Sequence, residues 1–135
     1  MGLTIKGSFK GSPSYDGGYG TFFRLRANIA KAIMGEDYPY YEEWSRTDDS
    51  TPKDRLHELC NKLRSYGETF YEFMTASDCD GKLSYKQCLE IYNLIKDKPG
   101  DFSFGYDFYR RPCDEDDIKV LLKECYSHRA RLLWY

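Results

Sequence analysis

Apolar side chains recur at helical spacing in four stretches of the chain. Over residues 19–34, Phe22, Leu25, Ile29, Ala30 and Ile33 share one face, and Gly35 stops the helix. Thr51 and Pro52 have the form of an N-cap and a first helical residue. Beyond them Leu56, Leu59, Cys60, Leu63, Tyr66, Phe70 and Phe73 hold one face over about six turns, with Gly67 kinking or dividing the helix. A third helix fits 84–96, where Cys88, Tyr92 and Ile95 form a stripe beside Leu89 and Ile91; Lys98-Pro99-Gly100 ends it. A fourth fits 114–130, its acids Asp114 to Asp117 suiting the helix dipole and Ile118, Leu121, Leu122 and Cys125 facing inward.

A two-residue period is much rarer. Residues 3–9 alternate through Leu3, Ile5 and Phe9, which predicts a short strand. The tail Leu132-Leu133-Trp134-Tyr135 is too apolar to hang free and is predicted to pair with residues 3–7. Residues 10–18 read as a Gly/Pro/Ser loop and 75–83 as a compact loop. The segments 36–50 and 101–113 read as aromatic, charged and irregular, because Pro39 breaks the first and no period runs through the second. The expectation is one α+β domain over 1–135, mainly α. About four helices surround one core, with a small two-stranded pairing of the N- and C-terminal segments.

Composition supports a packed core, with 41% hydrophobic and 31% charged residues. The 13 Tyr and 8 Phe add an unusual aromatic content, and a surplus of such rings at the surface suits a binding face. Net charge is −2, which makes no case for nucleic acid, although Arg24, Arg26, Tyr109, Arg110 and Arg111 mix basic and aromatic groups in a way that suits phosphate. Charge is unevenly placed: residues 1–35 carry five basic groups against Asp16, and residues 36–50 carry six acids against Arg46. These runs either neutralise one another or are solvated. No stretch approaches the ~20 apolar residues of a membrane span, and MGLTIKGSFKG lacks the apolar run of a signal peptide. Five irregularly spaced cysteines then read as reduced thiols, and the compartment as cytoplasmic.

One local motif stands out. The segment ASDCDGKLSYKQ at 76–87 resembles a degenerate EF-hand calcium loop, with Gly81 at the central glycine and Asp78, Asp80 and Ser84 as candidate oxygen ligands. The first ligand position falls on Ala76 and the last on Gln87, so two of the expected ligands are missing. A structural turn explains the same residues. Ser84 and Gln87 form an S-x-x-Q capping box, Asp78 and Asp80 tie the turn to its backbone, and Gly81 allows a positive φ. Ser77 completes that turn.

Catalytic chemistry finds no constellation. Cys125 and His128 share a helix face, but no second pair completes a zinc site without recruiting Cys60 and Cys113. His57 and His128 sit on polar parts of helices, and Cys79 lies between two aspartates that disfavour its thiolate. Gly17-Gly18-Tyr19-Gly20 lacks the Lys-Ser/Thr of a P-loop.

Met1-Gly2-Leu3, the YGTFFRLR segment at 19–26, the central Ser77-Asp78-Cys79-Asp80-Gly81 and the apolar-aromatic end Leu133-Trp134-Tyr135 together resemble a group of short phage, prophage and bacterial proteins of unassigned activity. Members often carry histidine just before the serine, where this chain has Ala76. The resemblance implies a small accessory protein working in the host cytoplasm. The leading expectation is therefore a non-enzymatic module that binds a host or phage protein, such as an inhibitor of a host defence system. Its contact residues would be Tyr38, Tyr40, Tyr41, Trp44, Tyr106, Tyr109, Arg110 and Arg111. The alternative is a metal- or small-ligand-binding protein using 76–87, with calcium as its ion; no other cofactor is expected.

Overall fold

The computed structural model describes residues 2–135; Met1, the first residue of the resemblance, lies outside them. Its first strand, β1 (Leu3–Gly7), alternates buried and half-exposed residues, and β2 (Ser14–Gly17) returns beside it. Helix α1 (Tyr19–Met34) buries Phe22, Leu25, Ile29 and Ala30 on one face and ends at Gly35. A short 3-10 turn (Gly35–Asp37) leads into α2 (Tyr38–Ser45). Helices α3 (Lys53–Arg64) and α4 (Glu68–Thr75) follow, then strand β3 (Gly81–Leu83) and helix α5 (Tyr85–Ile95). Strand β4 (Tyr106–Asp107), helix α6 (Asp117–Ser127) and strand β5 (Leu132–Trp134) complete the order.

The five strands make one antiparallel sheet in the order β3-β5-β1-β2-β4. Ile5 stands opposite both Tyr15 and Trp134, and Leu83 opposite Leu132. Leu3, Ile5, Tyr15, Leu83, Leu132 and Trp134 thus present one buried face, against which the apolar stripes of the helices pack. Phe22 and Phe73 reach Trp134 with ring centroids 5.7 and 5.5 Å away.

The chain is α+β, but the expected four helices with a two-stranded pairing are overturned. Among the described residues there are six α-helices and a five-stranded sheet. The two chain ends do pair, Ile5 with Trp134, but only as the centre of that sheet. Strands β2, β3 and β4 have two to four residues each and lie in segments read as loops. Their regularity comes from hydrogen bonding to neighbours rather than from an alternation of their own.

The helical stretch at 51–73 divides at Gly67 into α3 and α4, one of the two outcomes expected of that glycine. Two further readings are corrected. The segment 36–50 is helical as far as Ser45, because Pro39 sits in the first turn of α2, where its missing N–H has no helical partner to lose; residues 46–50 are irregular as expected. Helix α6 starts at Asp117 rather than 114, since the Asp117 carboxylate accepts from the Asp114 N–H and holds that residue in the preceding turn.

Candidate functional site

The motif at 77–81 is a joint between α1, α4 and the last strand. Arg26 projects from the core-facing side of α1 and is only 6% exposed. Its Nη1 donates to the carbonyls of Met74 (3.2 Å) and Ala76 (2.9 Å), and its Nη2 to that of Ser77 (3.0 Å). These carbonyls belong to the C-terminal end of α4 and the residues after it, where a cation is favoured by the helix dipole. The guanidinium lies 4.4 Å from the Phe22 ring centroid. Burial pulls its pKa below the ordinary value, with Tyr41 and Asp78 acting in the opposite direction.

The Ser77 carbonyl also accepts from Trp134 Nε1 at 2.8 Å. One backbone oxygen therefore joins helix α1 to strand β5. The Ser77 hydroxyl accepts from the Cys79 N–H, so the serine, rather than Asp78 or Asp80, ties the turn. Gly81 is not in a left-handed conformation. It is glycine because the Trp134 indole covers it; a Cβ there would lie 2.1 Å from Trp134 Cζ2.

The capping box of α5 is formed: Ser84 Oγ accepts from Gln87 N, and Gln87 Oε1 from Ser84 N. Gln87 Nε2 also donates to Glu72. Ser84, a candidate ligand, is thereby engaged in the helix cap. Among the described residues no three Asp, Glu, His or Cys side chains stand together as a metal-binding group. Cys125 is buried and His128 stacks on Phe9, 4.1 Å between centroids.

The predicted contact residues fall into two sets. Tyr38, Tyr40, Tyr41 and Trp44 all lie on α2. Tyr41 is buried, while the other three are half-buried against the core, which removes Tyr41 from any free surface. Tyr41 stacks on Trp44 with centroids 6.0 Å apart. Two of the six acids of 36–50 are met by basic residues of α3: Glu43 makes a two-pronged bond with Arg55 at 2.6 Å, and Asp37 pairs with Lys62 at 3.3 Å. Glu42 faces Arg46 at 3.9 Å, while Glu36, Asp48 and Asp49 are exposed, so the run is partly paired and partly solvated.

Tyr106, Tyr109, Arg110 and Arg111 behave differently. They lie on a hairpin at the β4 edge of the sheet, closed by a bridge between Tyr106 and Pro112 and by the Cys113 N–H on the Gly105 carbonyl. Asp107 organises its tip. One carboxylate oxygen accepts from the N–H groups of Tyr109 (2.8 Å) and Arg111 (2.9 Å), while the Asp107 N–H donates to the Arg111 carbonyl. Gly105 packs flat on β2, where a Cβ would lie 1.8 Å from the Asp16 carbonyl oxygen, so the hairpin is seated on the sheet. Arg110 is held at φ 64°, a backbone state that costs an arginine free energy.

This tip presents Phe108 at 81% exposure and Tyr109 at 76%, their rings 5.4 Å apart edge to face. Sequence reasoning missed Phe108, which is the most exposed large apolar side chain among the described residues. Its neighbours in the string DFSFGYDFYRR read alike; only the pairing of β4 with β2 separates buried Phe102 and Phe104 from exposed Phe108. Arg26 was missed too, as a charge within YGTFFRLR rather than as a buried joint. Among the described residues no helix is long and apolar enough to cross a membrane. Compared with protein-family models, curated proteins and solved structures, the chain matches none.

Proposed function

We propose that this chain is a protein-binding module that engages its partner through the 106–111 hairpin. The observation that carries the reading is the exposure of Phe108 and Tyr109 on a tip whose backbone is already organised by Asp107. An apolar side chain left in water on a mobile loop has little meaning. The same side chain on an ordered loop loses little further entropy on binding, and aromatic and arginine side chains dominate the energetics of protein interfaces. Arg110 and Arg111 add the polar rim such an anchor uses. The resemblance to short phage and prophage proteins supports a host or phage protein as the partner. It also supports inhibition of a host defence system as the purpose.

A photo-crosslinking phenylalanine analogue at position 108 tests this reading, with the same analogue at the exposed Val120 of α6 as control. The expected result in cells is one covalent adduct from position 108 and none from 120. Adducts of equal pattern from both positions, or none from either, contradict it.

A further inference from the structure

The Arg26 joint stands apart from the hairpin. A buried guanidinium is ordinarily met by a carboxylate, because a charge withdrawn from water is costly unless it is paired. Among the described residues no acid lies within ion-pair distance of Arg26. Three of its N–H donors are taken by carbonyls. A guanidinium carries five such donors, so two are left, and one of them, on Nε, is buried with no partner.

Beside this cation lies a cavity of about 310 Å³. Arg26 lines it together with the buried rings of Phe22 and Tyr41, half-buried Trp44 and Ala76, and exposed Asp78. Its volume is at the small end for a ligand site, the size of a single-ring molecule. Half-buried Trp44 offers a stacking face. Its cation lacks an anion, and a guanidinium with two unused donors is matched in shape by a carboxylate. The one opposing feature is Asp78, whose negative charge stands on the same lining.

We propose that this cavity binds a small flat aromatic carboxylate, with the ring against Trp44 and the carboxylate against Arg26. Nε is closed off from the cavity by the atoms around it, so a carboxylate that reaches it shifts the surrounding wall. The Tyr41–Trp44 stack is part of that wall and reports the shift.

The test is a fluorescence titration with benzoate, using benzamide as the uncharged control and a Trp44→Phe variant to remove the reporting ring. Saturation by benzoate is expected below about 10 mM, with benzamide binding at least about tenfold more weakly. Arg26 itself is not substituted, because it also holds the fold. Asp78→Asn is used instead; removing the like charge tightens benzoate binding roughly threefold. Ala76→Leu fills the cavity and abolishes the signal while the circular dichroism spectrum stays unchanged. No saturable change, equal affinity for benzamide, or weaker binding in Asp78→Asn would each overturn the proposal.

Discussion

Gly81 lies directly under the indole of Trp134, so close that a Cβ would stand 2.1 Å from the ring carbon Cζ2. Trp134 is itself 1% exposed, and its Nε1–H is held by the Ser77 carbonyl. The ring therefore cannot withdraw without losing both a buried hydrogen bond and its packing on Phe22 and Phe73. Gly81→Ala forces overpacking at a site with no room to relax. The expected loss is at least about 2 kcal/mol, read as a lower midpoint in urea. An unchanged midpoint would show that the indole yields easily.

Arg26 makes the complementary prediction on the other side of the same oxygen. Arg26→Met removes the charge but leaves the carbonyls of Met74, Ala76 and Ser77 without their donors, a loss of about 3 kcal/mol. Arg26→Lys keeps the charge without the planar fork and recovers less than half of it. Full recovery by lysine would mean that charge alone holds the joint.

The thiols sort by burial. Cys79 is exposed and Cys60 half-buried, while Cys88, Cys113 and Cys125 are buried. Burial raises the Cys113 thiol to about 11. Cys88 is raised by its hydrogen bond with Cys125 and then by burial, and Cys125 is lowered through the same bond. A thiol-reactive dye is expected to label Cys79 rapidly, Cys60 more slowly, and the other three only after unfolding. Rapid labelling of Cys88 or Cys125 in the native protein would contradict the packing of α5 on α6.

Acid sensitivity follows from four carboxylates held below their ordinary values. Asp37 is lowered by the Tyr66 hydroxyl, Glu43 by Arg55, Asp48 by the Ser50 hydroxyl and Asp101 by the Ser103 hydroxyl. A lowered folded-state pKa gives stability that is present above the unfolded value, about 4, and lost as pH falls through the folded one. At the alkaline end Tyr66, bonded to Asp37, and buried Tyr41 are pushed up to about 12. Their contribution is present below about 10, the ordinary tyrosine value, and lost as pH rises toward 12. Thermal unfolding midpoints should be level near neutrality and fall below pH 4 and above pH 10. A midpoint that holds to pH 2 would contradict the acid side.

Much of the helical frame was legible, and much of the sheet was not. Helix α1 carries its own period and its own stop, so Tyr19–Met34 could be read directly. The capping box at Ser84 and Gln87 is likewise a local signal. Strand β4 has two residues, and its neighbours Phe102, Phe104 and Phe108 are chemically alike. Which of them is buried depends on pairing with β2, far away in sequence. Arg26 was hidden for the same reason: it reads as one more surface charge until the fold brings it to carbonyls 48 to 51 residues distant. In the sequence Gly81 reads as a conformational glycine, whereas the contact that requires it comes from the last strand.

The proposed function rests on a protein partner at the 106–111 hairpin. Quantitative affinity capture from cell lysate, with the natural chain and a Phe108→Ser, Tyr109→Ser double variant side by side, tests this most directly. Both residues are exposed and outside the core, so the variant keeps the fold and the thermal midpoint. One stoichiometric protein is expected on the natural chain, reduced at least about tenfold on the variant. Equal capture by both chains would contradict it.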